Sequence, residues 1–135
     1  MKHAIFFLAM LFPLANTSAQ KPCSAQNISG TWKFCGRIQS DCDHPPATIN
    51  TDSLKNTFNQ YHSSGATWSF STDGTFKYIY PGYDNGKGRF KVVENSCDLK
   101  LSTGKRMRIV YLDDSCMIHW DYNPKTTAYL NVYRR

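Results

Sequence analysis

The chain has 135 residues, with 16 Lys and Arg against 10 Asp and Glu for a formal charge of +6, and it carries 8 Phe, 8 Tyr and 3 Trp. That length suits one domain with a core of its own. The basic residues are spread along the sequence, and the densest group, Lys105-Arg106-Met107-Arg108, follows Gly104 and reads as a hairpin tip rather than as the broad face of a nucleic-acid binder.

Lys2 and His3 precede an almost wholly apolar run from Ala4 to Ala15, and Thr17-Ser18-Ala19 places small residues before Gln20. This is the layout of a cleavable signal peptide, with an apolar core too short to cross a bilayer of about 30 Å. Residues 1–19 are therefore expected to be removed after Ala19. The expected product is a mature domain over 20–135, periplasmic or secreted, with a charge of about +5 (15 Lys and Arg against 10 Asp and Glu once Lys2 is gone). A lipid anchor would need a cysteine at the cut, and Cys23 lies four residues beyond it. No later segment reaches about 18 consecutive apolar residues, so no membrane span is expected.

Five cysteines, Cys23, Cys35, Cys42, Cys97 and Cys116, all fall in the mature part. In an exported protein they imply one or two disulfides and at least one cysteine left over, with the pairing open. Metal-ligand spacings such as C-x-x-C are absent, and Cys42-Asp43-His44 reads as loop.

From Gly30 onward, period-2 alternation between turn residues predicts strands. Thr31 to Cys35 puts Trp32 and Phe34 on one face, and Thr67 to Ser71 does the same for Trp68 and Phe70. Asp73-Gly74 then makes a tight turn. Phe76, Tyr78 and Tyr80 share the next face up to Pro81-Gly82, and Asp84-Asn85-Gly86 is expected to be another turn. Arg89 to Val93, Asp98 to Ser102, Met107 to Leu112, Cys116 to Tyr122 and Thr127 to Arg134 complete about eight strands. In the seventh, Ile118, Trp120 and Tyr122 are expected to face inward, with His119 and Asp121 toward solvent. The predicted fold class is all-β: an eight-stranded antiparallel up-and-down β-barrel, with a two-sheet sandwich as the alternative. Closure also removes exposed sheet edges.

Between the first two strands, Gly36 to Ala66 forms a long loop or contains a short helix. Thr51 or Asp52 caps a helix running to about Tyr61, with Leu54, Phe58 and Tyr61 on one side. Such a segment is either a binding lid or a cover over one barrel mouth.

Together Ile28-Ser29-Gly30-Thr31-Trp32-Lys33, Trp68-Ser69-Phe70-Ser71-Thr72-Asp73-Gly74-Thr75-Phe76 and Tyr133-Arg134 resemble the small bacterial lipocalin-like proteins of the calycin superfamily. The resemblance implies a barrel closed at one end by Gly30 and Trp32, with a basic residue of the last strand lying over the indole. Alternation puts Leu130, Val132 and Arg134 on one face, making Arg134 the candidate for that cation–π contact. Unlike the larger lipocalins, the chain leaves no room for a long helix after the barrel.

No catalytic constellation is apparent: there is no nucleophile elbow, no phosphate loop and no carboxylate pair facing one cleft. The protein is therefore read as a non-enzyme without cofactor or metal. The abundant rings suit a pocket, since tyrosine joins an apolar face to an orienting hydroxyl. Phe58, Tyr61, Phe70, Tyr78, Phe90, Trp120 and Tyr122 are the candidate ligand-binding residues. The expected function is binding of a small apolar or amphipathic ligand inside the barrel. The alternative is an exported protein-binding module or enzyme inhibitor that acts through its loops with a packed interior.

Overall fold

The computed structural model describes residues 20–40, 49–122 and 128–135. The expected signal segment, Cys42 and the turn at Asn123-Pro124 lie outside the described residues, as do the side chains of Asp84 and Tyr122. A one-turn helix, α1 (Ala25–Ile28), precedes strand β1 (Gly30–Ser40), and helix α2 (Thr51–Thr57) follows it. Then come β2 (Thr67–Phe70), β3 (Thr75–Tyr80), β4 (Asp84–Val93), β5 (Asp98–Leu101), β6 (Arg106–Leu112), β7 (Cys116–Tyr122) and β8 (Ala128–Arg134). Each strand pairs antiparallel with the next, and β8 returns to β1, so the barrel is closed and up-and-down. The expected barrel is the observed one.

Local chemistry sets the boundaries. Ser24 caps α1 by accepting from the Asn27 N–H at 3.2 Å, and Asn50 caps α2 by accepting from the Ser53 N–H at 3.0 Å. The β2–β3 turn closes where Asp73 accepts from the Thr75 N–H at 2.9 Å while Gly74 takes φ +85°. Two expectations shift. Asp84, Asn85 and Gly86 open β4, opposite Tyr80, Ile79 and Tyr78, and the turn falls at 81–83. Helix α2 stops at Thr57, three residues after Leu54, instead of running to Tyr61.

Two cores form. The barrel interior holds Trp32, Phe70, Phe76, Phe90, Leu99, Met107, Leu112 and Met117, with Ile28 of α1 packed against them. The second core lies on the outside. Leu54, with Ile49 and Phe58, packs onto Cys35, Cys116, Ile118, Trp120, Leu130 and Val132. Thus α2 covers the outer wall of β7, β8 and β1, not a barrel mouth. Gly36 permits this approach: a Cβ there would sit 2.1 Å from the Phe58 ring.

This reverses the expected phase of β7. Ile118 and Trp120 face α2, whereas His119 faces inward beside its cross-strand neighbours Ile109 and Asn131. The strand is buried on both sides, so the more apolar phase could go outward once a helix covered it.

Polar contacts pin α2. Lys55 Nζ donates to Asp113 Oδ2 at 2.6 Å and to the Tyr111 hydroxyl at 3.1 Å, and that hydroxyl donates to Asp113 at 2.8 Å. Burial acts to raise the Asp113 pKa, but the bonds from Lys55, Ser115, Tyr111 and Cys116 outweigh it and hold the carboxyl well below the usual range. Arg134 donates to the carbonyls of Phe58 (3.1 Å) and Lys55 (2.8 Å), serving the C-terminal end of the helix.

Arg134 therefore does not close the barrel; Arg135 does. Its guanidinium lies 4.2 Å from the Trp32 ring and donates to the Asn27 carbonyl at 2.7 Å. Alternation had correctly grouped Arg134 with Leu130 and Val132, but that face is the outer one. Trp32 itself is fully buried and donates its indole N–H to the Ile28 carbonyl at 2.7 Å. Gly30 takes φ +125°, which side chains rarely adopt, and a Cβ there would lie in contact with the Arg135 guanidinium at 3.6 Å. A disulfide between Cys23 and Cys97 ties the segment before α1 to the β4–β5 turn beside this floor.

Candidate functional site

The floor leaves the opposite end of the barrel open. There β2 and β3 contribute Trp68 and Tyr78, β1 contributes Phe34 and Arg37, and β7 and β8 contribute Asp121, Asn131 and Tyr133. Lys105 of the β5–β6 turn joins them, and the segment after α2 adds Phe58, His62 and Ser64. These residues surround a cup of about 560 Å³.

The cup is chemically divided. Its aromatic part is continuous: Trp68 lies 5.0 Å from Tyr78 and 5.8 Å from Phe70 and Phe76, while Phe34 meets Tyr133 and His62 at 5.5 Å. Tyr133 is buried, and burial first of all drives its phenol upward, so it stays protonated. The polar part is charged. Lys105 and Asp121 pair at 3.3 Å, and the Arg37 guanidinium sits 4.3 Å over the Tyr129 ring without a carboxylate among the described residues. The arrangement offers apolar ring faces on one side and a cation on the other, which is the chemistry of an amphipathic ligand site.

Directly behind the cup, His119 stacks on Tyr133 at 5.0 Å and is 2% exposed. Neither ring nitrogen has a hydrogen-bond partner among the described residues. Burial pushes its pKa down to about 3, against the pull of Asp121, so the imidazole is neutral. An unfolded imidazole takes up its proton near pH 6.5. Below that pH the unfolded state binds the extra proton, so stability is fullest above about 6.5 and falls as the pH drops toward the native pKa. Urea titrations at pH 7.5 and 5.5 should show this loss in the wild type and much less of it in His119→Leu. Equal loss in both proteins would remove His119 as the cause.

The candidate binding residues fall into separate places. Phe58 and Tyr78 line the cup. Phe70 and Phe90, 5.2 Å apart, lie deeper in the packed interior. Trp120 is on the far side of the barrel wall beneath α2, so the inward assignment is corrected. Tyr61 is 52% exposed, donates to the Arg135 carbonyl at 2.9 Å and carries Lys33 over its ring, outside the cup. Tyr122 pairs with Ala128 through its backbone, and its side chain lies outside the described residues. The residues that sequence reasoning missed, Arg37, Lys105, Asp121, Asn131 and Tyr133, come mostly from the less apolar phase of β1, β7 and β8.

Of the cysteines, Cys35 and Cys116 are free and buried under α2. Burial pushes both thiols up, Cys116 to about 11, so neither presents a thiolate nucleophile. Among the described residues no three His, Cys, Asp or Glu side chains form a metal-binding group. No family model, no curated protein and no solved structure matches this chain.

Proposed function

We propose that this protein is an exported, lipocalin-like binding protein whose cup holds a small amphipathic molecule, its apolar body against Trp68 and Tyr78 and its polar end toward Arg37. The observation that carries this reading is the 560 Å³ cup with its segregated lining. Binding pockets of about 300–1,000 Å³ are typically lined this way. The Cys23–Cys97 bridge supports an oxidising compartment. The cup brings cations and ring faces together, the combination that holds an amphipathic molecule.

The test is titration with anilinonaphthalene sulfonate, a fluorophore with an apolar body and an anionic end. Saturable binding is expected, weakened about tenfold or more by Trp68→Ala, a loss of about 1.4 kcal/mol or more. Arg37→Ser should act similarly, and Tyr61→Ser should leave affinity unchanged. Absence of saturable binding, or equal loss in all three variants, would sink the reading.

One feature favours the alternative of a protein-binding module. Ile79, Tyr80 and Tyr83 are 49%, 42% and 84% exposed at the β3–β4 hairpin beside the cup mouth. Small-molecule binding undiminished by Tyr83→Ser separates the two readings.

A further inference from the structure

Away from α2, the outer wall gathers cations that look scattered in the sequence. In β4, Lys87, Arg89 and Lys91 alternate with Gly88 and Phe90, so all three point outward about 7 Å apart. Register then sets Lys77 of β3 opposite Lys87, and Lys100 of β5 opposite Lys91, with Arg106 of β6 opposite Lys100. All six are exposed. Like charges directly opposite across a sheet destabilise it.

Acidic relief is slight. Asp98 is held by Arg108 at 2.9 Å and reaches Arg106 at 3.9 Å, and Asp73, near Arg89, accepts from Thr75. Lys77, Lys87, Arg89, Lys91 and Lys100 have no salt-bridge partner among the described residues. Beside them runs a shallow groove of about 650 Å³, where the hydroxyl residues Ser69, Ser71 and Thr75 line the same space as Lys77, Lys87 and Arg89.

We propose that this wall binds a linear acidic polysaccharide, its carboxylate or sulfate groups meeting the cation rows and its hydroxyls meeting those of the groove. The alternatives fit less well. Proteins that hold single-stranded nucleic acid stack bases on exposed rings, and these rows present none. Interfacial membrane contact buries a band of large apolar side chains, whereas the β3 row carries Ile79 at its hairpin end and the other positions named here are cations. The site is separate from the cup and does not depend on what fills it.

The experiment is equilibrium binding of the full chain to a fluorescent heparin octasaccharide across a salt series. Wild-type affinity should fall steeply with salt, and Lys87→Ser/Lys91→Ser should weaken it about tenfold while lowering the salt slope by about one to two. Lys21→Ser/Lys33→Ser removes the same charge elsewhere and should change affinity by less than about twofold. The wall variant should melt no lower than wild type, since it removes repulsion between exposed groups. Equal weakening by both double variants would show net charge alone at work and overturn the proposal. So would failure of the wild type to bind, or tighter binding to phosphatidylglycerol vesicles or an oligothymidylate than to heparin.

Discussion

Replacing Cys23 and Cys97 together with alanine should lower the unfolding free energy by about 4 kcal/mol. The bridge spans a sequence separation of 74 residues. In the chain-entropy account, a loop of that size removes about 4 kcal/mol of freedom from the unfolded state. The consequence is local as well as global, because Cys23 leads directly into α1, and α1 supplies Ile28 to the floor and the carbonyl that receives the Trp32 indole N–H. Guanidinium titrations of the oxidised wild type and the double variant measure the difference. A loss below about 1 kcal/mol would mean that α1 and the floor hold the N-terminal segment without the bridge.

Trp32→Ala should destabilise the domain by about 3–5 kcal/mol, enough to unfold a large share of a marginally stable chain. The indole is fully buried and fills the closed end between Ile28 and the inward rings. Its loss opens a cavity and also leaves the Ile28 carbonyl without its donor. Arg135→Ala tests the outer layer of the same plug. Arg135 is exposed, so its cation–π contact contributes only about 0.5–1 kcal/mol. Arg134→Ala should instead loosen α2, since its bonds go to Lys55 and Phe58. Proteolysis within 49–58 should therefore rise in Arg134→Ala and stay unchanged in Arg135→Ala. The opposite pattern would return barrel closure to Arg134.

The two arginines illustrate what alternation can and cannot say. It correctly places Arg134 with Leu130 and Val132, and Trp120 with Ile118. It says nothing about which of the two faces looks into the barrel. The usual rule, more apolar inward, fails in β7 and β8 because α2 supplies a second apolar environment outside. The helix is signalled locally by Leu54 and Phe58, but most of its docking site, from Cys116 to Val132, lies more than 50 residues further along the chain. The cup suffers from the same ambiguity. Its aromatic side, Trp68 and Tyr78, follows from strands covered on one face only, whereas Asp121, Asn131 and Tyr133 sit on strands buried on both.

The cation wall divides the same way. The spacing of Lys87, Arg89 and Lys91 is local and legible as one face of a strand. That Lys77 and Lys100 stand opposite them depends on register, which only pairing sets.

By itself the sequence determined the strand count and most turn positions, because turn chemistry and period-2 patterning act over a few residues. The barrel stood there beside a sandwich alternative, and Trp32 at the floor was what the resemblance to lipocalin-like proteins implied. Tertiary structure alone decided which phase of β7 and β8 faces inward, where α2 docks, which arginine covers Trp32 and which cysteines pair. A two-residue period offers two equivalent faces, and the choice between them belongs to whatever distant segment covers the outside.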